Sequence, residues 1–143
     1  MIFLDTNVIS ETMKPVPDRL VVEWLIAHDA ELAVPAITIA ELAFGIERIR
    51  PEQRAVRLAR GLDAWRERLA GRILAFNERA AMCYGELMGR AARAGTPMAA
   101  PDGMIAATVL ANGGALATRN IDDFRGTGLN LINPWASSRV RDR

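Results

Sequence analysis

Cysteine and histidine are almost missing from this 143-residue chain, where Cys83 and His28 stand alone. A single cysteine excludes an internal disulfide and suits a reducing compartment, so the cytoplasm is the expected location. One Cys and one His also exclude a zinc site of the usual His/Cys kind. Lysine is equally scarce, with Lys14 alone among the eighteen basic residues. No apolar run approaches the roughly 20 residues of a membrane span. The N-terminus has neither a basic n-region nor a long apolar h-region, so no secretory signal is expected. Neither GxxxxGK(S/T) nor a GxGxxG after a strand occurs, which removes the usual nucleoside-triphosphate and dinucleotide fingerprints. No serine sits in a strand–turn–helix elbow that His28 could serve.

What is present reads as one globular domain. Half the residues are hydrophobic and 24% are charged, which is the balance of a folded chain. At this length roughly 70% of the extended-chain surface can be buried. The net charge of +1 announces no polyanion partner. Between Arg48 and Arg72, however, eight arginines face three acids, Glu52, Asp63 and Glu67. Such a local surplus either attracts a polyanion or forms a salt-bridged helix face, and spacing alone leaves both open.

Short apolar runs alternate with helical periods. Strands are expected at 2–4, 32–34, 72–76, 115–117 and 129–132. Between them the helical stretches are 7–13, a segment after the Asp18 cap, 38–49, 51–69, a long helix from the Asn77 cap to Gly95, and 101–111. Leu20, Val21, Trp24 and Leu25 are placed for burial in the second helix. Ile39, Leu42, Ala43 and Ile46 are so placed in the third, with Val56, Leu58, Leu62, Trp65 and Leu69 in the fourth. Strands separated by helices predict an α/β fold, a three-layer α/β/α sandwich around a short, mainly parallel five-stranded sheet. It should span 1–136, with 137–143 as a flexible C-terminal tail.

Carboxylates punctuate this pattern. Asp5 ends the apolar Met1–Leu4 run, Glu41 lies within Ala36–Leu42, and Asp102 opens the apolar 104–107 stretch. Asp122 and Asp123 follow the fourth strand. Acids in apolar company are costly unless a cation meets them. In parallel sheets ligands gather at the carboxyl ends of strands, where Asp5 and the 118–123 stretch fall. Crowded carboxylates raise one another's pKa, and a divalent ion reverses that effect. Mg²⁺ accepts oxygen ligands and keeps waters that a phosphate can displace. The acids therefore point to Mg²⁺ or Mn²⁺ and to phosphate chemistry. Thr6, Asn7, Thr118 and Asn120 are expected to support the acids by hydrogen bonds. An aspartyl-phosphate phosphatase would carry a second Asp where Asn7 stands, and a receiver domain a lysine near the acids, whereas Lys14 sits in a proline-bounded loop.

Seven segments, taken together and in order, resemble the PIN-domain ribonucleases, specifically the VapC/FitB-like toxins of bacterial toxin–antitoxin modules. They are Leu4 to Glu11, Ile37 to Leu42 with Gly45, Gly71 to Leu74, Asp102 to Thr108, Ala117 to Asn120, Asp123-Phe124, and Asn133-Pro134-Trp135. The resemblance implies a PIN-like fold and a Mg²⁺- or Mn²⁺-dependent endoribonuclease that hydrolyses RNA by water activated at the metal. By motif, Asp5, Glu41 and Asp102 match the core acids, with Asp5 and Asp102 as metal ligands. The family's fourth acid usually follows Thr-Arg, where this chain has Asn120. Asn120 can still offer a neutral oxygen there, Asp123 is the substitute expected to join the catalytic set, and Asp122 is the other candidate.

The resemblance also implies an antitoxin partner, a homodimer and no membrane. The helices around Trp24 and 49–69 are the expected antitoxin surface. The alternative function is a catalytically weak PIN-fold binding module acting through an antitoxin–DNA complex.

Overall fold

The computed structural model describes residues 1–136; the tail expected at 137–143 lies outside the described residues. The chain opens with strand β1 (Ile2–Leu4), then helices α1 (Thr6–Thr12) and α2 (Arg19–Ala27), and returns as β2 (Leu32–Pro35). Helices α3 (Ala36–Arg48) and α4 (Gln53–Arg68) lead to β3 (Ile73–Leu74). Helices α5 (Glu78–Arg93) and α6 (Ala100–Ala111) precede β4 (Ala115–Ala117), and a 3₁₀ turn, Ile121–Phe124, precedes β5 (Asn130–Ile132).

The strands hydrogen-bond in the order β3-β2-β1-β4-β5, and every pair is parallel. From β1 the chain moves outward to β2 and β3, whereas from β4 it moves to β5 on the other side. Neighbouring strands β1 and β4 therefore send their connections in opposite directions. That divergence opens a crevice at their carboxyl ends. Asp5 and Thr118 are the residues that follow those two ends.

Period-two alternation in β1 builds the layers. Ile2 and Leu4 enter one apolar cluster with Val8, Val21, Trp24, Leu42 and Trp65, contributed by α1 to α4. Phe3 points into the other, with Leu87, Ile105, Val109, Leu116 and Phe124 from α5, α6, β4 and the turn after it. The α/β/α sandwich is thus present, with a wholly parallel sheet.

The caps are local. The carboxylate of Asp18 accepts the Leu20 N–H at 2.8 Å, and the amide oxygen of Asn77 accepts the Ala80 N–H at 3.0 Å. Gly95, at φ 73°, takes the left-handed conformation that stops α5. Gly103 matters for the site because a Cβ there would lie 2.5 Å from Met88 Sδ and 3.1 Å from Tyr84 Cε1. A side chain there would force the Met88 and Tyr84 side chains of α5 to shift.

Four expectations need correction. β3 is Ile73–Leu74 rather than 72–76. It is an edge strand with one partner, pairing through Val34↔Ile73 and Pro35↔Leu74; Pro35 closes β2 and has no N–H to extend the ladder. In α3 the buried stripe is Thr38, Leu42 and Ile46, at a spacing of four, and Ala43 falls off it into solvent. Leu20 and Val56 are exposed, at 40% and 50%. Leu20 sits in the first turn of α2, and Ala55 rather than Val56 takes the inward position in α4.

The arginine-rich stretch resolves largely as a salt-bridged surface. Arg50, Arg54, Arg66 and Arg68 pair with Glu47, Glu52, Asp63 and Asp29. Arg72 donates to the Asp29 and Leu32 carbonyls at 3.0 and 2.9 Å, tying the end of α4 to the start of β2.

Candidate active site

Asp5 leaves β1 with its backbone still in the sheet, its N–H donating to the Ala117 carbonyl at 3.0 Å. It then caps α1 in an extended conformation, one carboxylate oxygen accepting the Thr6 N–H at 2.8 Å. The other oxygen accepts the Thr118 hydroxyl at 2.7 Å. Asn7 straddles the crevice. Its amide nitrogen stands 3.4 Å from both Asp5 and Thr118, and its amide oxygen accepts the Arg119 N–H at 3.2 Å. Asp5 is thereby aimed by both strands that flank the crevice.

Glu41 arrives on α3. The Thr38 hydroxyl donates to the Leu4 carbonyl at 3.1 Å, which anchors the start of α3 at the end of β1. One turn later the Thr6 hydroxyl donates to Glu41 Oε1 at 2.6 Å. Asp102 comes from the first turn of α6, just after Pro101, which suits the helix start because it has no N–H to satisfy. These segments are far apart in sequence, yet Asp5, Glu41 and Asp102 line one cavity of 390 Å³.

Burial and like charge make that proximity costly. Asp5 is only 5% exposed. Desolvation raises its pKa, the Thr118 and Thr6 hydrogen bonds oppose the rise, and the Glu41 and Asp123 charges add to it. Asp102 is pushed up to about 6, first by burial and then by Asp5, Asp123 and Glu41. A helix N-terminus would ordinarily stabilise its ionised form. Here desolvation and three neighbouring acids overcome that effect.

Asn120 lines the cavity as well, and its N–H donates to the Thr118 hydroxyl oxygen at 3.0 Å. Asp122 and Asp123 are both exposed on the 3₁₀ turn but differ in direction. Asp122 pairs outward with Arg125. Asp123 is close enough for its charge to act on both Asp5 and Asp102.

The donors are all oxygens, which suits a hard divalent ion, and Asp5, Asp102 and Glu41 are the residues that can hold one. Their mutual repulsion is what such an ion would relieve. Among the described residues, no three Asp, Glu, His or Cys side chains already stand at metal-ligand spacing. Rotation of the half-buried Asp102 and Glu41 side chains would have to bring their oxygens onto the ion.

Residues 2–128 match the PIN domain. The chain belongs to the PIN-domain family. A VapC ribonuclease, Y4jK, from Sinorhizobium fredii is 43% identical over 137 residues, covering 94% of this chain and 98% of the relative. Toxin FitB from Neisseria gonorrhoeae is 39% identical over 139 residues, covering 94% of this chain and 99% of FitB. A chain in the crystal structure of FitAcB from Neisseria gonorrhoeae aligns at a TM-score of 0.88 and 37% identity, covering 96% of this chain and all of the other. This PIN domain is thus of the VapC type found as the toxin in toxin–antitoxin systems.

The PIN cavity also holds Glu11, Lys14 and Trp135, which sequence reasoning did not place there. Glu11 lines it on the same face of α1 as Asn7, one helical turn on. Glu11 is buried, and its carboxylate accepts the Asp18 N–H at 2.9 Å and pairs with Lys14 at 2.9 Å. Those contacts hold its pKa below the usual carboxylate range, the Lys14 hydrogen bond first. The four-residue spacing from Asn7 was the available signal. Lys14, Arg119 and Trp135 complete the wall. None of the eight arginines between 48 and 72 reaches this cavity.

Proposed function

We propose that this PIN domain is a metal-dependent endoribonuclease, the toxin of a type II toxin–antitoxin pair. Three carboxylates from the end of β1, from α3 and from α6 meeting in one crevice, where burial and then neighbouring acids raise the pKa of Asp5 and Asp102, carry the reading. Asp5 and Asp102 would hold Mg²⁺ or Mn²⁺, with Glu41 beside them. Such an ion polarises a phosphoryl oxygen and lowers the pKa of water. The chain supplies the rest. Thr118, Thr6 and Asn7 fix Asp5, while Thr6 orients Glu41. Asp123 contributes negative charge at the rim, the role left to it by Asn120.

The antitoxin is proposed to dock in a separate, larger cavity of 610 Å³ between α2 and α4, lined by Val22, Leu25, Ile26, Ala64 and Trp65. Lys14 lines both cavities, so an occupant of one adjoins the other. No helix among the described residues is long and apolar enough to cross a membrane. The cytoplasm, where RNA and antitoxin meet, is the proposed location, and a homodimer the proposed assembly.

One observation favours a second reading. Asn120, an amide, lines the cavity where the family usually has an acid, as in a binding module with weak chemistry that acts through an antitoxin–DNA complex. A cleavage assay separates the two. The purified toxin should cut single-stranded RNA in Mg²⁺ or Mn²⁺, leaving 5′-phosphate and 3′-hydroxyl ends, and should stop on addition of EDTA. RNA left intact in both metals would leave only the binding module.

A further inference from the structure

One wall of the acid cavity is cationic and aromatic. The Arg119 guanidinium carbon lies 5.1 Å from the centroid of a Trp135 ring, and both side chains line the cavity. At that distance the indole holds the cation by its π face. Both partners are fixed at the backbone. The Arg119 N–H donates to Asn7, and the Trp135 N–H donates to the Asn133 side-chain oxygen at 2.9 Å. Trp135 is half-buried and packs against the α1–α4 side of the core, whereas Arg119 is exposed.

The position of Arg119 is unusual for an arginine among acids. Asp5, Glu41, Asp102 and Glu11 line the same cavity, yet no ion pair joins any of them to Arg119 among the described residues. Instead the indole holds the guanidinium aside, and its in-plane N–H donors find no hydrogen-bond acceptor among the described residues. A guanidinium placed directly on the acids would neutralise them and displace a metal. Held to one side, it keeps an open donor fork of the geometry that grips phosphate oxygens.

Building on the ribonuclease reading, we infer that Arg119 grips the RNA backbone phosphate neighbouring the one cleaved, and that Trp135 positions its guanidinium. The scissile phosphate would lie against the acids, which would hold the ion. Arg119 takes the next, and so sets the register of the strand in the crevice. Of the two cations lining the cavity, Lys14 is already engaged by Glu11.

Steady-state cleavage of a single-stranded RNA oligonucleotide by the full chain, at saturating Mn²⁺ and over a range of salt, tests this. Arg119→Ala should raise KM about tenfold, with a much smaller change in kcat, and should flatten the salt dependence of log KM by about 0.7. Arg119→Lys should restore the salt slope but only part of KM, because it keeps the charge and loses the fork. Trp135→Phe should keep KM close to wild type, and Trp135→Leu should raise it. The Arg119→Ala/Trp135→Leu pair should be no worse than Arg119→Ala alone.

Should Trp135→Leu fail to fold, the two Arg119 variants decide the matter, since that side chain is exposed. Unchanged KM and salt slope in Arg119→Ala, or a fall in kcat alone, would overturn the inference while leaving the ribonuclease reading intact. A wild-type chain that cuts no RNA would remove both.

Discussion

Asp102→Asn should cut the rate of RNA cleavage by about 10³-fold or more, because a held metal supplies several kcal/mol and each 1.36 kcal/mol is tenfold. The same substitution should leave melting temperature unchanged or higher. Asp102 is a half-buried carboxylate repelled by three others, and the amide has its shape without its charge. Lost activity with undiminished stability is what a site under functional strain predicts.

Asp5→Asn should be as damaging to cleavage but different in stability. Asp5 accepts from both Thr6 and Thr118, and an amide can accept through only one of its two atoms. Losing one such bond costs about 1–3 kcal/mol, read as a lower denaturant midpoint. Asp102→Asn cleaving within about threefold of wild type would contradict the assignment.

Metal affinity should depend steeply on pH. In the metal-free protein the Asp102 pKa is raised to about 6, so a proton competes with the ion below that value. Calorimetric titration with Mn²⁺ should show affinity falling about tenfold between about pH 7.5 and about pH 5 from this group alone. Asp5, also raised, should deepen the fall.

The linked stability has the opposite sign. A folded-state pKa above the reference value of 3.8 means the fold binds the proton more tightly. Its contribution to stability is full below the unfolded value and is lost as pH rises through about 6. The metal-free protein should therefore melt slightly lower at about pH 7.5 than at about pH 5 from this group, by an amount reduced by solvent screening. Mn²⁺ should reverse the order. An affinity flat across that range would show that Asp102 is no ligand.

The pattern of legibility follows from range. Strands β1 and β4 read to the residue because each is a short buried run cut off by a polar side chain, and Asp18 and Asn77 announce their helices through local hydrogen bonds. The acids stood out because carboxylates in apolar segments need a reason. What bound them together did not stand out. The Thr6 bond to Glu41 spans 35 residues, and the Thr118 bond to Asp5 spans 113. Such pairs depend on which strands are neighbours, not on any local period.

The arginines of α4 left two readings open for the same reason, and the salt-bridged face is the one that holds. Their density in α4 was visible, while Arg119, two residues beyond β4, gains its place from Trp135, which follows the neighbouring strand β5. Ala43 and Val56 failed at finer scale: a helical stripe locates a face to within about one residue on either side, and both lie just off it.

The central claim is that residues from β1, α3 and α6 form one divalent-cation site. Diffraction at the manganese edge from crystals grown with Mn²⁺ tests it most directly. An anomalous peak in contact with Asp5 and Asp102, with Glu41 alongside directly or through water, is the predicted result. No peak in the crevice at saturating Mn²⁺, with the Asp5 and Asp102 carboxylates turned apart, would contradict it.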